Sequence, residues 1–188
     1  MAAAKRPLLL TADSGTVCID KAQVGVYTKA ITSYLPDRMA LPTEFTAADA
    51  VSLYTDFFAD FDRTKANAML ADLHLNQHDR IGAMSKGTQE KMQLCLTMSR
   101  AAKLYLLDEP LGGVDPAARE YILNTILHNY SEDAALVLST HLIGDIEKVL
   151  DEVIFLKDGS VMRQVGVDEL REETGTSVDA YFREAYKC

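Results

Sequence analysis

The sequence has few cysteines and no long apolar run, and both absences narrow the kind of protein it encodes. Its three cysteines, Cys18, Cys95 and Cys188, are scattered along the chain and odd in number. They show neither the spacing of a metal site nor a disulfide framework, which favours a reducing compartment. No apolar run approaches the roughly 18 residues that a membrane span requires. We therefore expect a soluble intracellular protein.

Basic residues are also in the minority. The chain has 28 acidic and 19 basic residues, a net charge of -9. Binding to a phosphate backbone requires a basic surface, so we expect no nucleic acid among the partners. A small anionic ligand held by backbone N–H groups is still compatible with this composition. The 188 residues, 48% of them hydrophobic, predict one globular domain, or one domain with a small appendage.

A third absence concerns phosphate binding. The motif Gly-x-x-x-x-Gly-Lys-Ser/Thr, whose loop cradles nucleotide phosphates, does not occur, and the sequence contains no Gly-Lys pair. Yet residues 104–110 have a form that usually accompanies such a loop, because four apolar residues lead directly into Asp108, Glu109 and Pro110. The apolar run suits a buried strand of a parallel sheet, and ligands bind beyond the carboxyl ends of such strands. The two carboxylates are therefore placed for metal and water chemistry.

The spacing of apolar residues along the chain predicts alternating helices and strands, and hence an α/β sheet with mixed edges. Residues 14–20 predict a turn that enters a short strand. The other predicted strands are residues 31–35, 104–107 and 134–139 and the two arms of a hairpin, 153–156 and 160–164. The predicted helices are residues 46–58, 62–73, about 88–102, 116–130 and 143–150. Thr46 and Asp62 are suitable N-caps. We expect one domain over residues 1–188, with a helical subdomain at about 41–102 and a C-terminal tail at about 166–188.

Four blocks of sequence, taken together, resemble an ATP-binding cassette domain. Residues 84–89 resemble the signature loop of that family, and residues 104–110 resemble its Walker B strand. Residues 113–115 resemble the D-loop, and residues 139–141 resemble the segment with the switch histidine. None of the four blocks identifies the family by itself, but the four blocks in this order are specific to it. The resemblance, which runs from about Asp13 to the C-terminus, implies a P-loop NTPase sheet of the cassette type with a helical subdomain, truncated at its N-terminus.

The resemblance implies that four residues carry the chemistry of ATP hydrolysis. Asp108, with Asp37, would hold Mg²⁺, since hard carboxylate oxygens suit that ion. Glu109 would orient or deprotonate the attacking water, and His141 would donate a hydrogen bond to the γ-phosphate. Asp37 stands where the family carries a glutamine. The aspartate side chain is shorter, so it would approach the ion from a different distance. Plainer explanations exist: a solvated turn after the strand, a turn-initiating Pro-Asp pair at Asp37 and a structural role for His141.

Four further residues are implied to bind ATP. Ser85, Lys86 and Gly87 precede a helix, where free N–H groups and the helix dipole favour an anion. In the family this loop reaches the γ-phosphate bound by the opposite subunit, and Asp115 of the D-loop crosses the same interface. Lys86 replaces the first glycine of the motif and Thr88 its glutamine, and Lys86 adds a positive charge near the expected phosphate. The plainer explanations are an N-cap for Ser85 and a helix cap for Asp115.

The resemblance also implies cofactors, partners and a location. The cofactors would be ATP and Mg²⁺, and the partners a transmembrane permease and a second nucleotide-binding subunit, identical or different. The chain would lie in the cytoplasm on the inner face of the cell membrane, and the ending at 166–186 resembles the tails of bacterial exporter cassettes. The hairpin around residues 156–160, with no coiled-coil insertion or zinc motif in the sequence, favours a transporter over a DNA-repair or chromosome ATPase.

The missing phosphate loop leaves several explanations open. In the family the loop lies upstream of the segment that begins at Ser14, and only about a dozen residues precede that position. The chain could be a truncated gene product, one piece of a split protein, or a degenerate cassette kept for binding. We expect weak or no ATPase activity from the chain alone. The alternative function is a non-catalytic remnant that acts as an interaction or regulatory protein.

Overall fold

The computed structural model describes residues 12–186, which form two units, residues 12–139 and residues 140–186. In chain order, the first unit contains β1 Cys18–Ile19, β2 Ala22–Gln23, α1 Val26–Ala30, β3 Thr32–Leu35, α2 Ala47–Phe57, α3 Arg63–Asp72, a short 3₁₀ helix Ile81–Ala83, α4 Lys86–Met98, β4 Leu104–Asp108, α5 Pro116–Asn129 and β5 Ala135–Ser139. The second unit contains α6 Ile143–Ile146, a 3₁₀ helix Glu147–Val149, β6 Glu152–Lys157, β7 Ser160–Gly166, α7 Val167–Thr174 and α8 Val178–Ala185.

The first unit is built on a parallel sheet in the order β3-β4-β5. The apolar strand predicted from the sequence is its centre, and Tyr105 and Leu107 of β4 are buried. The register pairs Leu35 with Leu107 and Asp108 with Ser139. The three strands therefore end at one edge of the sheet, where ligands of α/β proteins bind. The predicted α/β fold class is confirmed.

The two helices for which the sequence indicates an N-cap at Thr46 and Asp62 begin there, and both caps are formed. The Thr46 hydroxyl accepts a hydrogen bond from the Asp49 N–H at 3.1 Å, and the Asp49 carboxylate accepts one from the Thr46 N–H at 2.9 Å. This is a capping box. Asp62 caps α3 by accepting from the Lys65 N–H at 2.9 Å. Local side-chain chemistry thus fixes where these helices begin.

Helix α4 begins and ends earlier than the predicted run at 88–102. It starts at Lys86, directly after its N-cap Ser85, and ends at Met98. It packs against β3 and against α2, α3 and α5, so that all seven residues from Met92 to Met98 are buried. Arg100 leaves the helix and turns its side chain toward Asp60 and β3.

The second unit is a β6–β7 hairpin with helices on one face. Phe155, Val165, Leu170 and Val178 form its buried core. Its turn contains Asp158–Gly159, where both residues have positive φ, as a type I′ turn requires. The opposite face of the hairpin exposes four apolar side chains, Ile154, Leu156, Val161 and Met162.

Some expectations were incomplete, and others stay predictions. The short strand predicted within residues 14–20 is present as β1, whereas β2 and α1, which are two and five residues long, were not predicted. The division into one domain with a helical subdomain at 41–102 and a tail at 166–188 stays a prediction. None of the helices within residues 12–186 has both the length and the apolar character needed to cross a membrane.

Candidate active site

Asp108 and Glu109 lie at the carboxyl end of the central strand. The Asp108 side chain is buried, and its Oδ1 accepts a hydrogen bond from the Ser139 hydroxyl of β5 at 2.6 Å. The Glu109 N–H donates to the Ser139 carbonyl at 2.9 Å. These bonds fix both acidic residues to the neighbouring strand. Ser139 holds the orientation of Asp108 while leaving the second carboxylate oxygen to other partners.

The backbone at Glu109 turns sharply. Glu109 has φ +49°, a left-handed conformation that costs a residue with a side chain about 1 kcal/mol or more. Its carbonyl accepts from the Gly112 N–H at 2.9 Å, and a Cβ on Gly112 would come within 3.1 Å of that oxygen. A side chain at position 112 would therefore crowd the tight turn. Strain of this kind, held in place by its surroundings, points to a functional role for Glu109.

Gln93 of α4 holds the segment that carries Asp37. Its side chain is buried, its Nε2 donates to the Pro36 carbonyl at 3.0 Å, and its Oε1 accepts from the Ala40 N–H at 3.1 Å. Our sequence analysis missed this residue. The available signal was an amide side chain within an otherwise apolar stretch of helix, since a buried polar group requires partners.

The phenol of Tyr34, in β3, is affected by the charges of both Asp37 and Asp108. Burial raises the pKa of the Tyr34 phenol, and the negative charges of Asp108 and of Asp37 raise it further. Both carboxylates therefore act electrostatically on the same hydroxyl, although they are 71 positions apart in the sequence. Their joint assignment to a metal stays a prediction. Tyr34 itself was not singled out from the sequence.

The predicted signature segment begins α4. The Ser85 hydroxyl accepts from the Thr88 N–H at 3.2 Å, and Lys86 is the first residue of the helix. A Cβ on Gly87 would meet no atom within 4 Å, so the packing of the described residues does not require glycine there. Ser85 is therefore an N-cap, as the plainer explanation held, and the predicted anion-binding role of the three residues stays a prediction.

Asp37 and Lys86, which come from distant blocks of sequence, line the same pocket. The pocket has a volume of about 300 Å³, and its walls are Asp37, Arg38, Met39, Lys86, Gln89, Glu90 and Gln93. Lys86 Nζ lies 3.5 Å from Glu90 Oε1. Opposite charges thus meet between the end of β3 and the first turns of α4.

Asp115 and His141 are the remaining residues of the predicted site. Asp115 is exposed and directly precedes α5, where its carbonyl accepts from the Ala118 N–H at 2.9 Å. His141 is exposed and belongs to the second unit, as the second residue after the end of β5. Both of their predicted roles stay predictions.

The residues at the sheet edge suit a magnesium ion. Within residues 12–186, no three His, Cys, Asp or Glu side chains are arranged to hold a metal on their own. Magnesium does not require such a set, because it usually takes one or two carboxylates together with substrate phosphates and water. Asp108, with one oxygen engaged by Ser139, supplies one such carboxylate, and Asp37 would be the second.

Comparison with known proteins gives the same picture. Residues 34–144 match the family described as "AAA domain, putative AbiEii toxin, Type IV TA system". The chain is 27% identical over 168 residues to the ABC transporter ATP-binding protein YtrB of Bacillus subtilis (strain 168), a match that covers 88% of this chain and 58% of YtrB. It is 24% identical to the SkfA peptide export ATP-binding protein SkfE of the same organism, covering 86% of this chain and 70% of SkfE.

Solved structures confirm the fold. One described as "Structure of ATP binding subunit of ABC transporter" superposes with a TM-score of 0.82 at 22% identity, over 93% of this chain and 78% of that one. Another, a dimeric post-hydrolysis state of the ATP-binding cassette MJ0796 bound to ADP and Pi, superposes with a TM-score of 0.72 at 20% identity, over 85% and 76% of the two chains. The chain spans little more than half the length of YtrB and of a further Bacillus relative, YxlF.

Proposed function

We propose that the chain, which belongs to the AAA-domain family that its residues 34–144 match and resembles ABC transporter ATP-binding proteins, is an ATP-binding and ATP-hydrolysing subunit of a membrane transporter. Because it lacks the Gly-x-x-x-x-Gly-Lys-Ser/Thr loop, we expect weak or no hydrolysis from the chain alone. One observation carries this proposal: at the end of the central parallel strand, Asp108 is oriented by Ser139 and Glu109 is held in a left-handed turn. Adjacent carboxylates in this position suit a metal ligand followed by a general base.

Asp108 and Asp37 would hold Mg²⁺. When bound, the ion would neutralise charge on the phosphate oxygens of ATP. Asp108 is suited to this role because burial and the Ser139 hydroxyl fix its orientation. Asp37 is suited because Gln93 ties down the backbone on both sides of it. A carboxylate at position 37 is shorter than the glutamine of the family, so it would act on the ion from a different distance.

Glu109 would orient or deprotonate the attacking water, and His141 would donate a hydrogen bond to the γ-phosphate. The bonds that Glu109 makes through its backbone to Ser139 and Gly112 would keep its carboxylate in place during the reaction. Ser85, Lys86 and Gly87 would bind the phosphates of an ATP molecule held by a second nucleotide-binding subunit. Free N–H groups and the dipole at the start of α4 favour an anion there.

The second subunit would be a copy of this chain or a related one, with Asp115 at the contact between them. The pair would act on a transmembrane permease from the cytoplasmic face of the membrane. The name of SkfE, which includes peptide export, supports an exporter over an importer. The transported substrate would be chosen by the permease.

The first test is thermal melting of the purified chain in Mg²⁺ alone and in Mg-ATP. A ligand present at 100 times its Kd, and bound only by the folded state, adds about 2.7 kcal/mol of stability. For a chain of this size, that corresponds to a rise in the melting temperature of about 5–11 °C. The variant D108N should lose most of this rise, because one of the two proposed magnesium ligands becomes neutral. The control D168N changes an exposed aspartate of α7 and should keep the full rise.

The second test separates binding from turnover. E109Q should keep the melting shift and lose any phosphate release, whereas the control E172Q, on an exposed position of α7, should retain both. No shift in the unaltered chain, or an equal shift in D108N, would contradict the proposed site. The chain alone is expected to hydrolyse ATP weakly or not at all, so only a shift without phosphate release even after addition of a second nucleotide-binding subunit would favour the alternative, a non-catalytic cassette that acts as an interaction or regulatory protein.

A further inference from the structure

Gln93 of α4 holds the backbone on both sides of Asp37. The residue is only 4% exposed. Its Nε2 donates to the Pro36 carbonyl at 3.0 Å, and its Oε1 accepts from the Ala40 N–H at 3.1 Å. Donor and acceptor are both used, as a buried amide requires. Asp37 and Gln93 also line the same pocket, so the clamp that Gln93 forms with Pro36 and Ala40 lies next to Asp37.

The clamp is part of a longer contact between α4 and β3. One turn further along the helix, the Thr97 carbonyl accepts a hydrogen bond from the Ser33 hydroxyl of β3 at 2.8 Å, and both residues are buried. The Thr97 hydroxyl donates in turn to the Gln93 carbonyl at 2.9 Å. Helix α4 therefore holds β3 through Thr97, and it holds the segment that follows β3 through Gln93.

The segment that carries Asp37 gains most from such a contact. Residues 36–40 belong to no helix or strand, so no ladder of backbone hydrogen bonds fixes their path. An aspartate side chain is short and has few rotamers, so its carboxylate follows the position of its backbone closely. The longer glutamine of the cassette pattern depends less on its backbone. A clamp on the backbone is therefore the main control on where the Asp37 carboxylate lies.

We propose that Gln93 is a positioning residue which, by holding Pro36 and Ala40, restricts Asp37 and makes the proposed cation site select Mg²⁺ over Ca²⁺. Magnesium demands nearly ideal octahedral geometry, with oxygens at about 2.0–2.1 Å. Calcium accepts six to eight oxygens at about 2.3–2.6 Å in flexible arrangements. A loosened carboxylate would thus still serve calcium but would serve magnesium poorly. This inference rests on the proposed function, because it requires Asp37 to act on the ion of Mg-ATP.

Amide hydrogen exchange without nucleotide or metal tests the clamp itself. Methionine has a similar length to glutamine and is apolar, so Q93M removes both hydrogen bonds and keeps the packing of α4. Exchange of the Ala40 N–H should become about fivefold faster, as expected for the loss of one hydrogen bond of ordinary strength. The matched control is S99A, which removes a buried hydrogen bond to the Cys95 carbonyl at the end of the same helix and should leave Ala40 unchanged.

The affinities for Mg-ATP and Ca-ATP test the positioning role. The Kd of each complex is obtained by titrating ATP in an excess of either cation and following the melting temperature. Loss of a group that orients a metal ligand lowers metal affinity about 10–100-fold, so Q93M should bind Mg-ATP at least about tenfold more weakly and Ca-ATP nearly as before. S99A should melt lower but keep the ratio of the two Kd values. D37N should lose the preference, and Q93M added to D37N should change the ratio no further.

The outcomes separate this inference from the proposed function. Unchanged exchange at Ala40 in Q93M would overturn the clamp. An equal loss of affinity for both complexes in Q93M, or a further change of the ratio when Q93M is added to D37N, would overturn the positioning role and leave the proposed function intact. If neither complex shifted the melting temperature of the unaltered chain, the proposed function would be contradicted, and the positioning role with it.

Discussion

Replacing Arg100 with methionine should destabilise the first unit more than any surface change of the same size. The Arg100 side chain is only 3% exposed. Its Nε and Nη2 donate to the Asp60 carboxylate at 2.9 and 3.0 Å, and its Nη1 donates to the Thr32 carbonyl at 2.6 Å. Nη2 also donates to the Ala30 carbonyl, and the guanidinium lies 4.0 Å from the centre of the Phe58 ring. One side chain thus joins the α2–α3 connection to the beginning of β3.

The magnitude follows from what each partner loses. Removing one member of a buried ion pair costs about 3–5 kcal/mol, and leaving a buried carbonyl without its donor costs about 1–3 kcal/mol. The Asp60 side chain is 25% exposed, so hydration recovers part of the first cost, and methionine still packs against Phe58. We therefore expect R100M to lose about 3 kcal/mol. R100K should lose less, since it keeps the charge but cannot reach Asp60 and both carbonyls at once.

Thermal unfolding measures this effect, with R183M as the control. Arg183 pairs with Asp179 at 2.8 Å, as short a contact as Arg100 with Asp60, but its side chain is 75% exposed. An exposed pair contributes under about 1 kcal/mol, whereas a loss of 3 kcal/mol lowers the melting temperature by about 6–12 °C in a chain of this size. If R100M melted no lower than R183M, burial would not be what gives the Arg100 contacts their strength, and the reasoning would fail.

Two further predictions concern titratable groups. Burial raises the pKa of the Cys95 thiol to about 12, whereas Cys18 is exposed. At pH 8 iodoacetamide should therefore alkylate Cys18 much faster than Cys95, as measured by peptide mass spectrometry. Comparable labelling of the two cysteines would contradict the packing of α4. Burial tends to raise the pKa of the Glu147 carboxyl, but hydrogen bonds from Arg171 and from backbone N–H groups near Asp179 hold it below the ordinary value of 4.5. The ionised Glu147 carboxylate therefore stabilises the folded chain fully above pH 4.5, and this stabilisation is lost as the pH falls through the lowered pKa. E147Q should melt below the unaltered chain at neutral pH, and the gap should close in acid; a constant gap would contradict this.

The parts of the fold that were predicted correctly are those set by neighbouring residues. Thr46, Asp62 and Ser85 cap helices with atoms three residues away, so their roles can be read from short stretches of sequence. The central strand β4 was also predictable, because a short apolar run followed by acidic residues is typical of a buried parallel strand with a ligand site at its carboxyl end. In each case the physical cause and its effect lie within one segment.

The features that were missed depend on contacts between distant segments. Helix α1 is short and carries the very exposed Val26, so it lacks an apolar face that would reveal it. The preceding segment is tied to the sheet unit by Lys103, whose Nζ lies 2.9 Å from Asp20, a partner 83 positions away. Helix α4 ends at Met98, and just beyond that end Arg100 binds Asp60, which precedes it by 40 positions. The contributions of Tyr34 and Gln93 to the site likewise appear only when strand register and helix packing are known.

The two departures from the cassette pattern become more informative when their positions are considered together. Asp37 replaces a neutral glutamine and Lys86 replaces a glycine, so each adds a charge that the family pattern lacks. Taken separately, a carboxylate beside Asp108 would increase repulsion, and a lysine at the start of α4 would oppose the helix dipole. Both residues line one pocket of about 300 Å³, where their charges are opposite and sum to zero. The opposite charges of the two departures therefore offset each other within this pocket.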